Sequence, residues 1–176
     1  MSIRLATAAD AHAIASVHVQ SWQTAYRNLV PDAYLNSLAI ETRESMWRES
    51  IRRGTPEMWV TELDAGVVGW SAFGASRDPD APPQTGELEA IYLLPEYWQT
   101  GTGWALWLVT RRRLIDRGFS TVTLWSLADN VRATRFYMAA GFTVDPKSET
   151  ELTVGGRVLK KVRYRTTLGE VATRSA

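Results

Sequence analysis

The sequence predicts a mixed α/β (α+β) domain of three layers, a central mixed, mostly antiparallel sheet of about seven strands flanked by helices. Three observations carry this. Apolar residues recur at helical spacing in several segments, and runs of alternating, β-prone character lie between them. Glycine or proline marks most of the changes from one to the other. The 176 residues, 45% hydrophobic and 22% charged, suffice for one domain with a real core and a solvated surface.

In order along the chain, Ile3-Arg4-Leu5 alternates as a short first strand. Thr7-Ala8-Ala9-Asp10 has the form of a capping box with Asp in place of the usual Glu. Ala11, Ile14, Ala15, Val17 (or His18), Trp22 and Tyr26 then continue an apolar stripe through a long helix to about residue 27. Pro31 suits the first turn of a short second helix within 28–38. Ile40 to Arg53, closed by Gly54, makes a third, with Met46, Trp47 and Ile51 on its buried side. Met58–Leu63, the turn Asp64-Ala65-Gly66 and Val67–Ala75 form a hairpin. Residues 77–86 hold three prolines and no apolar period. They mark a loop inside the domain rather than a linker, because neither half is long enough to fold comfortably alone. Glu87–Leu94 is the next strand, ended by Pro95, and a helix from about Gly103 to Arg117 stops at Gly118. Thr121–Ser126 is a strand, Val131–Ala140 a helix stopped by Gly141, and two further strands cover about 142–145 and 157–167. Residues 1–168 thus read as a single domain and 169–176 as a flexible C-terminal tail.

Composition excludes several classes of function. Twenty Lys+Arg against nineteen Asp+Glu leave a net charge of +1, which argues against a nucleic-acid partner and gives no attraction to an anionic membrane. The absence of cysteine removes disulfides, thiolate metal sites and a cysteine nucleophile. His12 and His18 are six apart, not at the i, i+4 spacing of a helical metal site, so no metal is expected. No apolar run approaches the ~20 residues of a membrane span, and the N-terminus lacks the apolar core of a signal peptide. The expectation is a soluble, cytoplasmic protein.

Three segments carry chemistry. Gly101-Thr102-Gly103 lies between a strand and a helix, where glycine admits close approach and the helix start offers free N–H groups to an anion such as pyrophosphate. A Rossmann fingerprint fails because Leu106 replaces the third glycine, and Gly-Lys-Ser/Thr is absent. Gly69-Trp70-Ser71-Ala72-Phe73 misses a nucleophile elbow, and the later chain has no histidine for a triad. Upstream, strand alternation puts Glu87, Glu89, Ile91 and Leu93 on one face, so two nearby carboxylates push one pKa up toward that of a general base. Solvated glutamates are the bland alternative. Asn130 and Tyr137 are seven apart and share a helix face, either as an amide-binding group with a proton donor or as an N-cap with a half-buried core tyrosine.

The run Glu89-Ala90-Ile91-Tyr92-Leu93-Leu94-Pro95-Glu96-Tyr97-Trp98-Gln99-Thr100-Gly101-Thr102-Gly103, followed by Asn130…Phe136-Tyr137…Gly141-Phe142, resembles the GCN5-related N-acetyltransferase (GNAT) superfamily over roughly residues 3–167. The resemblance implies the GNAT-like fold and acetyl-CoA as cosubstrate, with the acetyl group moved by direct attack of a primary amine in a ternary complex. The amine would belong to a small molecule or a peptide, and a homodimer fits the family. The alternative is a non-catalytic acyl-CoA-binding sensor or scaffold. By position, backbone groups of Ile91 and Leu93, with Tyr92 between them, would pair with the pantetheine arm. Amides of Gln99, Thr100, Gly101, Thr102, Gly103 and Trp104 would hold the pyrophosphate. Asn130 would bond the pantetheine or thioester region, Tyr137 would act as general acid, and Glu89 as base with Glu87 in reserve. Trp98 departs from the Gln or Arg often found there, a position that commonly serves through its backbone. Trp22 and Tyr26, one turn apart, would face the acceptor, as that region does in the family, unless they are core.

Overall fold

The computed structural model describes residues 1–146 and 148–169, and most predicted elements end within two residues of where the sequence puts them. Strand β1 (Ser2–Leu5) leads into a 3-10 turn (Ala8–Asp10) and helix α1 (Ala11–Ala25). The Asp10 carboxylate closes the turn by accepting from the Thr7 amide (2.7 Å) and hydroxyl (2.9 Å), and it also pairs with Arg4 (2.8 Å). The Arg4 guanidinium, helped by those Thr7 bonds, lowers the Asp10 pKa to about 2 against the opposing effect of burial. Helix α2 (Asp32–Asn36) has Pro31 as its N-cap, one position earlier than expected. Helix α3 (Ile40–Arg53) ends at Gly54, whose φ of 68° lies in the left-handed region that favours glycine. Trp47 and Ile51 pack against the core as expected, but Met46 is exposed, because the buried stripe of α3 is narrower than its apolar residues.

Strands β2 (Glu57–Leu63) and β3 (Gly66–Ala75) form the hairpin, followed by β4 (Thr85–Leu93) and a 3-10 turn (Pro95–Tyr97). Next come α4 (Thr102–Asp116), β5 (Thr121–Leu127), α5 (Val131–Ala139), β6 (Thr143–Val144), β7 (Thr150–Val154) and β8 (Arg157–Thr167). The strands form one sheet in the order β1-β2-β3-β4-β5-β8-β6, with β7 also beside β8. Of these pairings only β4–β5 is parallel. The described sheet therefore has eight strands where the sequence suggested about seven. The addition is β7, a short edge strand of mostly exposed residues joined to β8 by Gly155-Gly156, whose alternation is confined to Leu152 and Val154. Of the expected tail, residues 170–176 lie outside the described residues. Leu168 is buried and the Gly169 carbonyl accepts from Arg111 (2.7 Å).

Helices cover both faces of the sheet. Ile14 and Val17 of α1 pack with Val60, Trp70 and Ala72 on one face, and Trp107 and Leu114 of α4 pack with Phe73, Leu88, Val122 and Leu124 on the other. A third cluster joins Tyr26, Val30 and Leu35 to Val154 and Leu159 of the β7–β8 hairpin.

Two irregularities of β4 shape the molecule. Its register against β3 runs Ala72↔Ala90 and then Phe73↔Leu88, leaving Glu89 as the extra residue of a β-bulge. Leu88 and Ile91 consequently face the α4 side together, while Ala90 and Tyr92 face α1. The predicted single face of Glu87, Glu89, Ile91 and Leu93 is thus broken at the bulge: alternation holds only while the ladder is regular. In addition, β4 pairs with β5 only over Thr85–Glu87 and Thr121–Thr123. Beyond that point the two strands part.

Candidate active site

The parting of β4 and β5 opens a cavity of about 640 Å³, walled by both strands and by residues of α1, α4, α5 and the Tyr97–Gly101 turn. Its middle is the free edge of β4. The Leu94 amide donates to Val68 of β3 (2.9 Å), so strand alternation turns the backbone polar groups of Leu93 and Ile91 toward the cavity. The Leu93 carbonyl is engaged there by Ser21 Oγ (2.5 Å) and by the Trp98 indole Nε1 (3.0 Å).

One end is built by the glycine loop. Gln99 (φ 61°) and Gly101 (φ 87°) both adopt left-handed backbone conformations, which swing the chain into α4 at Thr102. The first amides of a helix have no helical carbonyl to bond, so the start of α4 presents donors and a positive dipole end to the cavity. A Cβ at Gly103 would stand 3.3 Å from Leu93 Cδ1 and 3.7 Å from Phe136, so glycine keeps this wall thin. These features fit a pyrophosphate-bearing ligand with an extended, amide-containing arm.

The same cavity also holds titratable groups. Glu89 lines it, and burial raises its pKa, offset by Arg77 and reinforced by Glu87. Arg77 bonds both carboxylates, through Nη1 to Glu89 (3.0 Å) and through Nε (3.0 Å) and Nη2 (2.5 Å) to Glu87. Burial pushes the Tyr137 phenol far above its ordinary range, with Tyr92 and Tyr164 adding to the rise. Tyr26 and Tyr92 are raised by burial as well. Asn130 caps α5, its Oδ1 accepting from the Ala133 amide (3.2 Å), while the residue also lines the cavity. Its N-cap role and its place on the cavity wall therefore coexist.

Among the residues singled out from sequence, Glu89, Ile91, Tyr92, Leu93, Gln99, Gly101, Gly103, Trp104, Asn130, Tyr137 and Tyr26 all line this one cavity. Four do not. Glu87 is buried against Arg77. The Thr100 and Thr102 hydroxyls bond each other (2.9 Å), and Thr100 is exposed. Trp22 packs edge-on behind Tyr26, their ring centroids 4.7 Å apart. Sequence reasoning missed Ser21, Trp125, Ser126, Arg132 and Arg135, which also form the wall. Trp125 has the periodicity of a core strand residue, and only the separation of β4 from β5 uncovers it. No group of three or more His, Asp or Glu positioned to hold a metal occurs among the described residues.

Residues 17–142 match the sequence profile described as the acetyltransferase (GNAT) family. The chain is 34% identical over 163 residues to the uncharacterized N-acetyltransferase YuaI of Bacillus subtilis strain 168, covering 92% of this chain and 90% of that one. In fold it is similar to the ribosomal-protein-alanine N-acetyltransferase of Brucella melitensis, with a TM-score of 0.74 at 21% identity over 95% of this chain and 99% of that one. It is also similar to the PaiA N-acetyltransferase of Thermoplasma acidophilum, solved in complex with coenzyme A, with a TM-score of 0.71 at 21% identity over 92% and 98% of the two chains.

Proposed function

The chain belongs to the acetyltransferase (GNAT) family, and on that premise we propose that it moves an acetyl group from acetyl-CoA to a primary amine, which attacks directly while both substrates are bound. The observation that carries this reading is the single cavity between β4 and β5. Its wall carries the start of a helix with unbonded amides, a strand edge left unpaired by β5, and the side chains of Glu89 and Tyr137. The amides from Gln99 to Trp104 hold the pyrophosphate, the Ile91 and Leu93 backbone and the Asn130 amide hold the pantetheine arm, and Tyr92 packs beside it.

Acetyl-CoA supplies a thioester already activated toward amines, so the chain needs no nucleophile of its own, and it has no cysteine to offer one. An alkylamine, with a pKa of about 10, arrives protonated. Glu89, with its raised pKa, takes that proton. Tyr137 holds its own proton at every working pH and can give it to the departing thiolate, which makes it an acid rather than a base. Tyr137→Phe is expected to lower turnover roughly ten- to a thousandfold with the Kd for acetyl-CoA unchanged by calorimetry. Equal turnover would remove Tyr137 from the mechanism.

Tyr26, Tyr92 and Trp125 line the same cavity as Glu89, which favours a small or medium amine with apolar or aromatic character. Residues 1–168 act as one unit, since the three core clusters share one sheet. No described helix is long and apolar enough to cross a membrane, and we place the enzyme in the cytoplasm.

A thermal-shift comparison of acetyl-CoA, CoA, NAD and ATP tests the cosubstrate, because a ligand bound only by the native state raises its melting temperature. A response to NAD or ATP but not to CoA overturns the reading. An amine panel assayed by CoA release then tests transfer. Binding without release to any amine points instead to an acyl-CoA sensor.

A further inference from the structure

Charge is distributed unevenly along the cavity. Glu89 is its one acidic lining residue, while Arg132 and Arg135, three residues apart on the first turns of α5, also line it. Neither arginine has a carboxylate within ion-pair distance among the described residues, whereas Arg4, Arg77, Arg113 and Arg163 are all paired. Arg132 is nonetheless held in place. Its guanidinium carbon lies 3.7 Å from the centroid of the Trp98 ring, and Trp98 is itself fixed by its bond to the Leu93 carbonyl.

We infer that Arg132, laid flat on Trp98 and backed by Arg135, is the side-chain cation that binds the phosphates of the cosubstrate. A guanidinium stacked on an indole spends its face on the ring and leaves its N–H edges free in the plane, the geometry that takes a phosphate bidentately. It is also ordered before the ligand arrives, so it loses little freedom on binding. The helix-start amides supply partial charges only, and the two guanidiniums supply the full charges that a polyphosphate anion needs for neutralisation. This inference rests on the acetyl-CoA reading and adds to it the residue that recognises the anionic end.

The test is calorimetric binding of CoA, 3′-dephospho-CoA and pantetheine to the wild type, Arg132→Ala, Arg132→Lys and Trp98→Leu. Arg132→Ala is expected to weaken CoA about ten- to a hundredfold, the range for one charge-assisted bond, and to leave pantetheine binding unchanged. Arg132→Lys recovers only part of the loss, since an ammonium cannot stack and fork at once. Trp98→Leu shifts CoA in the same direction as Arg132→Ala by a smaller factor. A defect that persists with 3′-dephospho-CoA puts the contact on the pyrophosphate, and one that vanishes puts it on the 3′-phosphate; both support the inference. An unchanged CoA affinity in Arg132→Ala, or an equal loss for CoA and pantetheine, overturns it. A wild type that binds no CoA overturns the acetyl-CoA reading itself, a different result from a wild type that binds CoA and an Arg132→Ala variant that binds it equally well.

Discussion

Glu87 and Glu89 bond the same guanidinium, yet their surroundings give them different tasks. Glu87 is 3% exposed and accepts from the Arg77 backbone amide (3.0 Å) as well as its side chain, so its oxygens are committed to holding the 76–84 loop. Glu89 shares Arg77 but lines the cavity, and burial has raised its pKa. Glu89→Gln is therefore expected to lower kcat by about 10²–10⁴ and to flatten the acidic limb of the pH–rate profile, with CoA affinity retained. Glu87→Gln is expected to lower stability by about 1–2 kcal/mol in urea denaturation. That is less than the 3–5 kcal/mol of a fully buried broken pair, because Arg77 is 64% exposed and solvent screens the charge it leaves behind. If Glu87→Gln flattens the limb instead, the base is Glu87. The pair of carboxylates was legible in the sequence because both lie on one strand. Their partner was not, because Arg77 comes from a proline-rich loop with no period to orient it.

Among the elements, the glycine loop carries the sharpest expectation. Valine at position 101 must adopt a φ near 87°, a cost of about 1–3 kcal/mol. Valine at position 103 must crowd the Leu93 side chain, 3.3 Å from its Cβ, in the wall of the cavity. Each variant is expected to raise the Kd for acetyl-CoA at least about tenfold, one lost charge-assisted bond being worth that much. Circular dichroism should show the fold kept. An unchanged Kd in both would mean the anion is held elsewhere. Helix ends were readable because Gly54, Gly118 and Gly141 sit at left-handed positions that side chains disfavour. The bulge at Glu89 was not, since nothing in Glu87–Leu93 departs from strand alternation and the extra residue exists only relative to β3. Arg132 escaped notice for a similar reason. In sequence it is one arginine on a helix, and Trp98 lies 34 positions away until the fold stacks them.

For the molecule as a whole, acid stability follows from two buried groups. His18 sits among Trp22, Trp47, Trp70 and Tyr92 with ring centroids 5.2–5.9 Å away, and its Nδ1 accepts from Trp47 Nε1 (3.1 Å), which requires the neutral ring. Burial, with some help from Arg43, lowers its pKa from 6.5 to about 3. The unfolded chain therefore binds a proton between those values that the native state refuses, so stability is full above pH 6.5 and lost as the pH falls toward 3. Asp10, lowered from 3.8 to about 2, adds a second loss over that lower window. Urea midpoints should fall from pH 7 to pH 5, and His18→Gln, though less stable at pH 7, should show a flatter dependence. An unchanged slope would remove His18 as the cause. The short β4–β5 ladder has its own consequence at this scale. Sheets usually leave unpaired backbone at their borders, where charge and twist guard against stray strands. Here an edge left unpaired by β5 runs through the interior as a seam, its Leu93 carbonyl covered by Ser21 and Trp98, and under the proposed function the amides of a bound pantetheine arm would be the missing rungs. Under that proposal sheet continuity would depend on the supply of acetyl-CoA, each catalytic cycle closing the seam and opening it again. Amide hydrogen exchange along Ile91–Leu93 should slow when the ligand is present and recover when it leaves.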